Sequence, residues 1–268
     1  MRAIVIKGVI LLGFGLWWAG LGDISAQVTV STNSVADAFV RSADPTHNYG
    51  GAGALSVSGT VATNASGVQE GALDSFLRFD VSNSVAQFNA SFGVGNWTIS
   101  SARLLLTETA TPAQAIFNRG IGQFEIRWIG NDSWIEGNGT PTAPNTSGIV
   151  YNNESSVLNA GVDTTLGTFT NGGTNGLDTF SLSTPSAFLN DVNAGGLVSF
   201  YLTATPGSTV GFTFNSHEFG TASQRPFLQL TAEAIPEPTT AALVVLSLAA
   251  LIALRYDRRK TGHYVEGD

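Results

Sequence analysis

The sequence contains no cysteine among its 268 residues, which excludes a disulfide framework and a cysteine-ligated metal. Charge is also scarce: between Gln27 and Ala234 there are fifteen acidic residues, six arginines and no lysine. The lack of lysine disfavours a lysine nucleophile. The formal charge of −9 over this stretch repels phosphate backbones, so nucleic acid is not expected as a partner.

Catalytic motifs are scarce as well. No serine stands in a G-x-S-x-G elbow, and "SHEF" lacks the second histidine of a zinc-binding helix. A glycosidase needs two carboxylates facing each other across a cleft. The sequence offers candidate carboxylates but does not show which of them would face each other. The candidates are Asp74, Asp80, Glu108, Glu125, Glu136 and Glu218. We therefore predict that the protein is not an enzyme.

The N-terminus has the order of a secretory signal peptide. Arg2 and Lys7 provide the charge, Gly8–Leu21 is an apolar run, and Ala26 is a small residue suited to the last position before cleavage. A short buried helix is the alternative interpretation. The expected product begins at residue 27 and is exported across the inner membrane.

The C-terminus carries a second segment with the features of a targeting signal. The segment "IPEP" is followed by an apolar run, Thr239–Leu254, and then by basic residues. Sixteen helical residues cover about 24 Å, short of a hydrocarbon core of ~30 Å, so a span needs bilayer thinning and snorkelling arginines. The basic end is expected on the cytoplasmic side.

These three parts, in this order, resemble the PEP-CTERM sorting signal of exopolysaccharide-producing Gram-negative bacteria. The resemblance implies exosortase as a partner, transient anchoring in the inner membrane and removal of the signal; a plain membrane anchor is the alternative. The sorting residues are Pro236, Glu237, Pro238, Arg255, Arg258 and Arg259. The predicted organisation is a signal peptide (1–26), a folded domain (27–234), a sorting signal with a transmembrane helix (235–260) and a cytoplasmic tail (261–268).

Apolar and polar residues alternate through the folded domain, as in strands with one buried face. About eleven such stretches are separated by Gly, Asn, Pro and Asp. One helix is expected in "STPSAFLNDVNAGG", with Thr184 as cap, Pro185 at the first position and Gly195 at the end. We predict an all-β fold, a jelly-roll-like β-sandwich with one short helix.

Five pieces of the domain resemble, in order, the DNRLRE-type domain related to carbohydrate-binding modules. The pieces are "VADAFVRSADPTHNYGGAGALSVSG", "SFLRFDVS", "ISSARLLLTE", "DSWIEGNGT…GIVYN" and "SHEFGTASQRPFLQLTA". The resemblance implies a non-catalytic β-sandwich that is often attached to cell surfaces and that in several relatives binds glycans.

Glycan contacts are expected where aromatic rings and polar groups occur together. Long loops are predicted at Gly59–Gly71 and Gly130–Leu158, and the second carries Trp134, Glu136 and Tyr151. Loops often carry function. The alternative is that the rings, Trp134 above all, are buried and anchor the loop. The candidate contacts are Tyr49, Trp134, Tyr151, Asn48 and Glu136.

Metal is a further possibility. Asp37, Asp44 and the Asn48–Gly50 turn offer oxygen ligands suited to a structural calcium ion, although their spacing matches no calcium loop. Local bonding of these side chains to backbone is the alternative.

The leading hypothesis is an exported envelope or extracellular-matrix protein that associates with exopolysaccharide. The alternatives are a structural surface or adhesion protein without a ligand site, and a polysaccharide-degrading enzyme.

Overall fold

The computed structural model describes residues 26–64, 67–109, 120–171, 176–235 and 247–252. Within these residues the chain forms ten strands and two named α-helices, so the fold is all-β as predicted. The strands are β1 Gln27–Arg41, β2 Ala54–Ser58, β3 Leu73–Asp80, β4 Trp97–Thr107, β5 Gly122–Ile129, β6 Thr164–Asn171, β7 Leu177–Leu182, β8 Leu197–Ala204, β9 Gly211–Asn215 and β10 Phe227–Ala234. The helices are α1 Ser82–Phe92 and α2 Ser186–Ala194, and short 3-10 helices lie at Tyr151–Ser156 and Ala222–Gln224.

The strands form one nearly closed antiparallel sheet in the order β6-β5-β8-β3-β1-β10-β4-β7, with β2 and β9 paired beside β3. The long strand β1 divides this path in two. Its first half, Gln27–Asn33, pairs with β10, and its second half, Ser34–Arg41, pairs with β3 after an irregularity between Ser34 and Ala36. A break of this kind bends a strand, and β1 thereby passes from the layer with β10, β4 and β7 to the layer with β3, β8, β5 and β6.

Four strand pairs are nested along the chain. β5 pairs with β6, β4 with β7, β3 with β8, and β1 with β10, each antiparallel. The innermost pair is closest in sequence and the outermost joins the two ends of the domain. Consequently the first and last strands lie side by side, with Gln27 opposite Glu233.

The main core lies between the two layers and is rich in phenylalanine. Phe124, Phe180 and Phe212 are buried, and their ring centroids lie 5.3 to 6.1 Å apart. Burying such a ring contributes roughly 1.5–3 kcal/mol relative to exposure. With no cysteine in the chain, burial of this kind holds the layers together.

A second, smaller core covers the outer face of the layer that contains β1, β3, β8 and β5. Successive residues of a strand point to opposite faces. Leu77 therefore lies in the main core while its neighbour Phe76 lies in the second one. Trp134, Ile149 and Val157 from the connection between β5 and β6 complete this second core. Apolar runs such as "SFLRF" in β3 follow from burial on both faces.

The helices confirm one prediction and correct another. Helix α2 occupies the predicted segment, with Pro185 rather than Thr184 in the capping position and Gly195 at its C-terminal end. Helix α1 was not predicted, so the expectation of one short helix is wrong. Its buried or half-buried residues Val85, Phe88 and Phe92 recur every three or four positions, a helical spacing.

The C-terminal region is described only at residues 247–252, which are helical and lie within the run predicted to span a membrane. Among the residues that the structure describes, no helix has the length and hydrophobicity needed to cross a bilayer. The sorting residues Pro236, Glu237, Pro238, Arg255, Arg258 and Arg259 lie outside the described residues.

Candidate functional site: a histidine and three carboxylates

The connection between β5 and β6, residues 130–163, is here called the covering loop because it lies over the outer face of the layer that contains β3, β8, β5 and the second half of β1. Trp134 anchors it. The ring is buried, its indole nitrogen donates to Ser199 Oγ at 3.0 Å, and the Arg78 guanidinium lies 4.7 Å from the ring centroid. Arg78 also donates to the carbonyl oxygens of Asp132 and Trp134, at 2.7 and 2.9 Å. In this conformation Trp134 serves as an anchor.

Asn48 fixes the middle of the covering loop through hydrogen bonds of its side chain. It is fully buried, and its amide nitrogen donates to the carbonyl oxygens of Glu136 and Ile149, at 2.6 and 2.8 Å. Its side-chain oxygen accepts from the backbone N–H groups of Gly50 and Gly139. All four positions of the carboxamide are thus used within the protein. The approach is close enough that a Cβ at Gly137, where φ is +78°, would lie 2.2 Å from that oxygen.

Of the other predicted glycan contacts, Tyr49 is buried and Tyr151 is half-buried. Tyr49 is 5% exposed and stacks on Phe39 with centroids 4.6 Å apart. Tyr151 is half-buried in the 3-10 helix of the covering loop. Among the described residues no tryptophan or tyrosine ring is classed as exposed, so a flat stacking platform of such rings is not found there.

Glu136 belongs to a different group, which we call the histidine–carboxylate cluster. It consists of Asp37, Glu136, His217 and Glu218, whose ligand atoms all lie within 4.8 Å of one another. His217 Nδ1 is central: it lies 3.1 Å from Glu136 Oε1, 3.3 Å from Glu218 Oε1 and 3.4 Å from Asp37 Oδ1. Three separate segments meet here: β1, the covering loop and the connection from β9 to β10.

Hydrogen bonds from neighbouring groups orient the carboxylates. Asp37 Oδ2 accepts from the His217 backbone N–H at 2.7 Å. Glu136 Oε1 accepts from the Asp37 backbone N–H at 2.7 Å, and Glu218 Oε2 accepts from Ser216 Oγ at 2.6 Å. The Asp37 amide belongs to the half of β1 that has left β10, so Glu136 caps an otherwise free position on a strand edge. The inner oxygens of Asp37 and Glu218 are left facing His217.

Burial and charge set the protonation of this cluster. Asp37 is fully enclosed, and its burial raises the pKa of its carboxyl to about 6. Interaction with the carboxylates of Asp37 and then Glu136 raises the pKa of His217 to about 10. Acids and histidine therefore stabilise one another's charged forms.

The predicted calcium pair is not brought together. Asp44 instead accepts from the Tyr49 hydroxyl at 2.5 Å and lies 2.6 Å from His47 Nδ1. These contacts, the tyrosine hydroxyl first, lower the pKa of Asp44. Asp37 is grouped with residues about 100 and 180 positions away, and only Glu136 among them was a predicted site residue. The cluster as a group was not predicted, although three of the five quoted pieces, those with "VADAFV", "DSWIEG" and "SHEF", each supply part of it.

A second acidic group, here called the carboxyl pair, consists of Asp74 on β3 and Glu154 in the covering loop. Burial raises the pKa of Asp74 to about 6, while burial and the charge of Asp74 raise the pKa of Glu154 to about 8. The hydroxyl of Tyr201 interacts with both acids. Neither acid lines the two cavities described next.

Two shallow cavities lie side by side on the covering loop, with volumes of about 260 and 300 Å³. They share Asn131, Ser156 and Val157. The first is also lined by Ser133, Asn153, the edge of Trp134 and Ile135, whose side chain is 69% exposed. Amides, hydroxyls and one exposed apolar side chain are groups that a neutral sugar can contact.

Comparisons with known proteins leave the family open. No family model matches the sequence, and no curated protein does so either. Among solved structures, the chain is similar to one in the "Structure of the Macrobrachium rosenbergii Nodavirus", with 12% identity and a TM-score of 0.23. The alignment covers 89% of this chain and 62% of that one. A likeness this distant carries no argument about fold or function.

Proposed function

We propose that this chain is an exported, non-catalytic β-sandwich protein of the cell envelope or extracellular matrix, sorted by an exosortase and associated with exopolysaccharide. The single observation that carries the proposal is the fit between the two predicted processing sites and the ends of the folded domain. β1 begins at Gln27, directly after the predicted cleavage residue Ala26, and β10 ends at Ala234, just before the PEP motif.

The described residues that flank the two predicted processing sites are neighbours in the fold. Gln27 pairs with Glu233, and the Ala234 backbone N–H donates to the Ala26 carbonyl oxygen at 3.4 Å. Removal of both end segments leaves every named strand intact. While the chain is anchored, this end of the domain faces the membrane.

We further infer a jelly-roll topology. With β2 and β9 set aside, the layers hold β1-β10-β4-β7 and β3-β8-β5-β6. These are the four nested hairpins distributed over two sheets, an arrangement typical of an eight-stranded jelly roll. The nesting explains why the first and last strands of the domain meet, since β1 and β10 form the outermost pair.

Sorting is tested by expressing the full chain in a Gram-negative host that contains an exosortase. We expect intact-mass analysis to show an N-terminus at residue 27 and loss of the segment after the PEP motif. The matched control changes Pro236, Glu237 and Pro238 to alanine and is expected to retain the C-terminal segment in the membrane fraction. Full-length chain in the cytosol with both ends uncut would overturn the proposal.

Glycan association is tested by affinity electrophoresis of the full chain in gels containing the host's exopolysaccharide. We expect retardation that is reduced by Ile135→Ala, which shortens an exposed side chain at the first cavity. Val94→Ala is the matched control, because Val94 is 82% exposed and lies outside the covering loop. Equal mobility with and without polysaccharide would instead favour the structural alternative, a surface protein with no discrete ligand site, for which the enclosed Trp and Tyr rings are the supporting observation.

A further inference from the structure

The histidine–carboxylate cluster has more hydrogen-bond acceptors than the single N–H on His217 Nδ1 can satisfy. A protonated His217 Nδ1 carries one N–H, which can donate well to one oxygen, yet three carboxylates converge on it. No described group forms a hydrogen bond with the buried Asp37 Oδ1 or with the Nδ1 atom of His217. A buried carboxylate oxygen without a hydrogen bond is costly, so this oxygen, which is aimed into the cluster at 3.4 Å from His217 Nδ1, favours a cation as its ligand.

We propose that Asp37, Glu136, His217 and Glu218 bind a single divalent transition-metal ion, of which Zn²⁺ is the representative. One cation at the centre satisfies all four donor atoms at once. The ion replaces the proton on His217 Nδ1, which is released to solvent, and it offsets the charge of the three carboxylates better than that proton does.

The spacing of the donors fits a small ion. Zinc–nitrogen and zinc–oxygen bonds of about 2.0–2.1 Å place neighbouring ligand atoms of a tetrahedral site about 3.3–3.4 Å apart. The three distances from His217 Nδ1 are 3.1, 3.3 and 3.4 Å. The four donor atoms lie within 4.8 Å of one another, so modest side-chain rotations bring them onto one ion.

The donor chemistry separates this site from a calcium site. Imidazole nitrogen is a ligand for zinc and related metals, whereas Ca²⁺ takes six to eight oxygen ligands at about 2.3–2.6 Å. The hydrogen bonds from the His217 and Asp37 backbones and from Ser216 supply the outer support that metal-ligating carboxylates need. Since the ligands come from three segments, the metal fastens the covering loop and the β9–β10 connection to the edge of β1.

The test uses the full chain in mild detergent, treated with EDTA and then dialysed into metal-free buffer. Isothermal titration calorimetry with Zn²⁺ is expected to show one ion per chain, and Zn²⁺ is expected to raise Tm. Ca²⁺ is expected to bind at least about tenfold more weakly. Co²⁺ provides a readout that needs no variant, because a four-coordinate site gives much stronger visible absorption than aqueous Co²⁺.

Glu218→Gln is the informative variant, since the Glu218 side chain is 36% exposed and its replacement keeps the shape. We expect zinc affinity to fall at least about tenfold and the Tm increase to shrink accordingly. His217→Asn serves as a second variant if the first folds poorly. His47→Ala is the matched control, because His47 also lies beside a carboxylate, Asp44, but outside the cluster.

Three results would overturn the proposal. These are absence of zinc binding by the folded wild-type chain, equal zinc affinity in wild type and both cluster variants, and tighter binding of Ca²⁺ than of Zn²⁺. The inference does not depend on export or sorting, so it stands or falls separately from the proposed function.

Discussion

The covering loop is attached to the sheet through two acidic groups, the histidine–carboxylate cluster and the carboxyl pair, whose negative charges are compensated in different ways. In the histidine–carboxylate cluster the acids face His217, and the geometry suits a cation. In the carboxyl pair, the Tyr201 hydroxyl interacts with both Asp74 and Glu154, and the Thr203 hydroxyl interacts with Asp74 as well. A hydroxyl is a weaker partner for a buried carboxylate than a cation is. The first group is therefore stabilised by a positive charge and the second by retaining protons.

The difference has a simple consequence for the loop. The end that carries Trp134 and Glu136 is held by apolar burial, by the Asn48 carboxamide and by the histidine–carboxylate cluster. The end that carries Glu154 and Val157 is held by the buried Val157 and by Glu154, a half-buried acid whose pKa burial raises to about 8. We therefore expect the first attachment to be the stronger one at neutral pH.

The largest expected effect comes from removing the shared apolar anchor. Trp134→Ala should lower the free energy of unfolding by about 3–5 kcal/mol, because it removes a large buried ring and leaves a cavity beside Phe76. Urea unfolding followed by far-UV circular dichroism measures this. Ile135→Ala, next to it but exposed, should change stability by less than about 0.5 kcal/mol. Similar small changes in both variants would mean that the covering loop does not contribute to global stability.

The sequence predicts most of the strands because they alternate apolar with polar residues and are bounded by turn residues. Two of the alternating stretches, "QVTVS" and "ADAFVRS", are predicted as separate strands because the "TNSV" between them contains Asn33, a turn former, whereas β1 is continuous. The missing prediction of α1 has a different cause. Its spacing was visible, but Ser, Asn and Gly around it resemble a loop.

The site is harder to predict than the fold. Asp37, Glu136 and His217 come together only through the register of β1 and the path of two loops, and no spacing in the sequence encodes that. Asp44 looked like the natural partner of Asp37 because it is near in sequence. Its own neighbours, Tyr49 and His47, already use both of its oxygens.

The carboxyl pair predicts a specific dependence on pH. Its folded-state pKa values are raised, to about 8 for Glu154 and about 6 for Asp74, from 4.5 and 3.8. The folded chain then binds more protons than the unfolded chain between these limits, so its stability falls as pH rises. Tyr151 and Tyr201 face the same group and stay neutral over this range, since burial raises the pKa of both hydroxyls.

Glu154→Gln isolates this effect. It should flatten the fall in unfolding free energy between pH 5 and pH 8, because the carboxamide has no proton to lose. Glu125→Gln is the matched control, since Glu125 is a half-buried acid outside the pair, on β5, and it should leave the pH profile unchanged. The measurement is urea unfolding at several pH values in metal-free buffer. A profile that Glu154→Gln does not alter would show that the pair is already ionised in the folded state.

The smallest expected effect is the coupling between the two acidic groups. In the register of β1 and β3, Asp37 lies opposite Leu77 and Val40 opposite Asp74. Asp37 and Asp74, the residues that place the two groups on the sheet, are thus three positions apart along the strands, about 10 Å. Groups at such a distance with no shared partner are usually independent, so a double-mutant cycle of Glu218→Gln and Glu154→Gln should give a coupling below about 0.5 kcal/mol. The measurement is urea unfolding of the four chains at one pH without metal. A coupling clearly above that limit would mean that the covering loop detaches as one unit, with each attachment depending on the other.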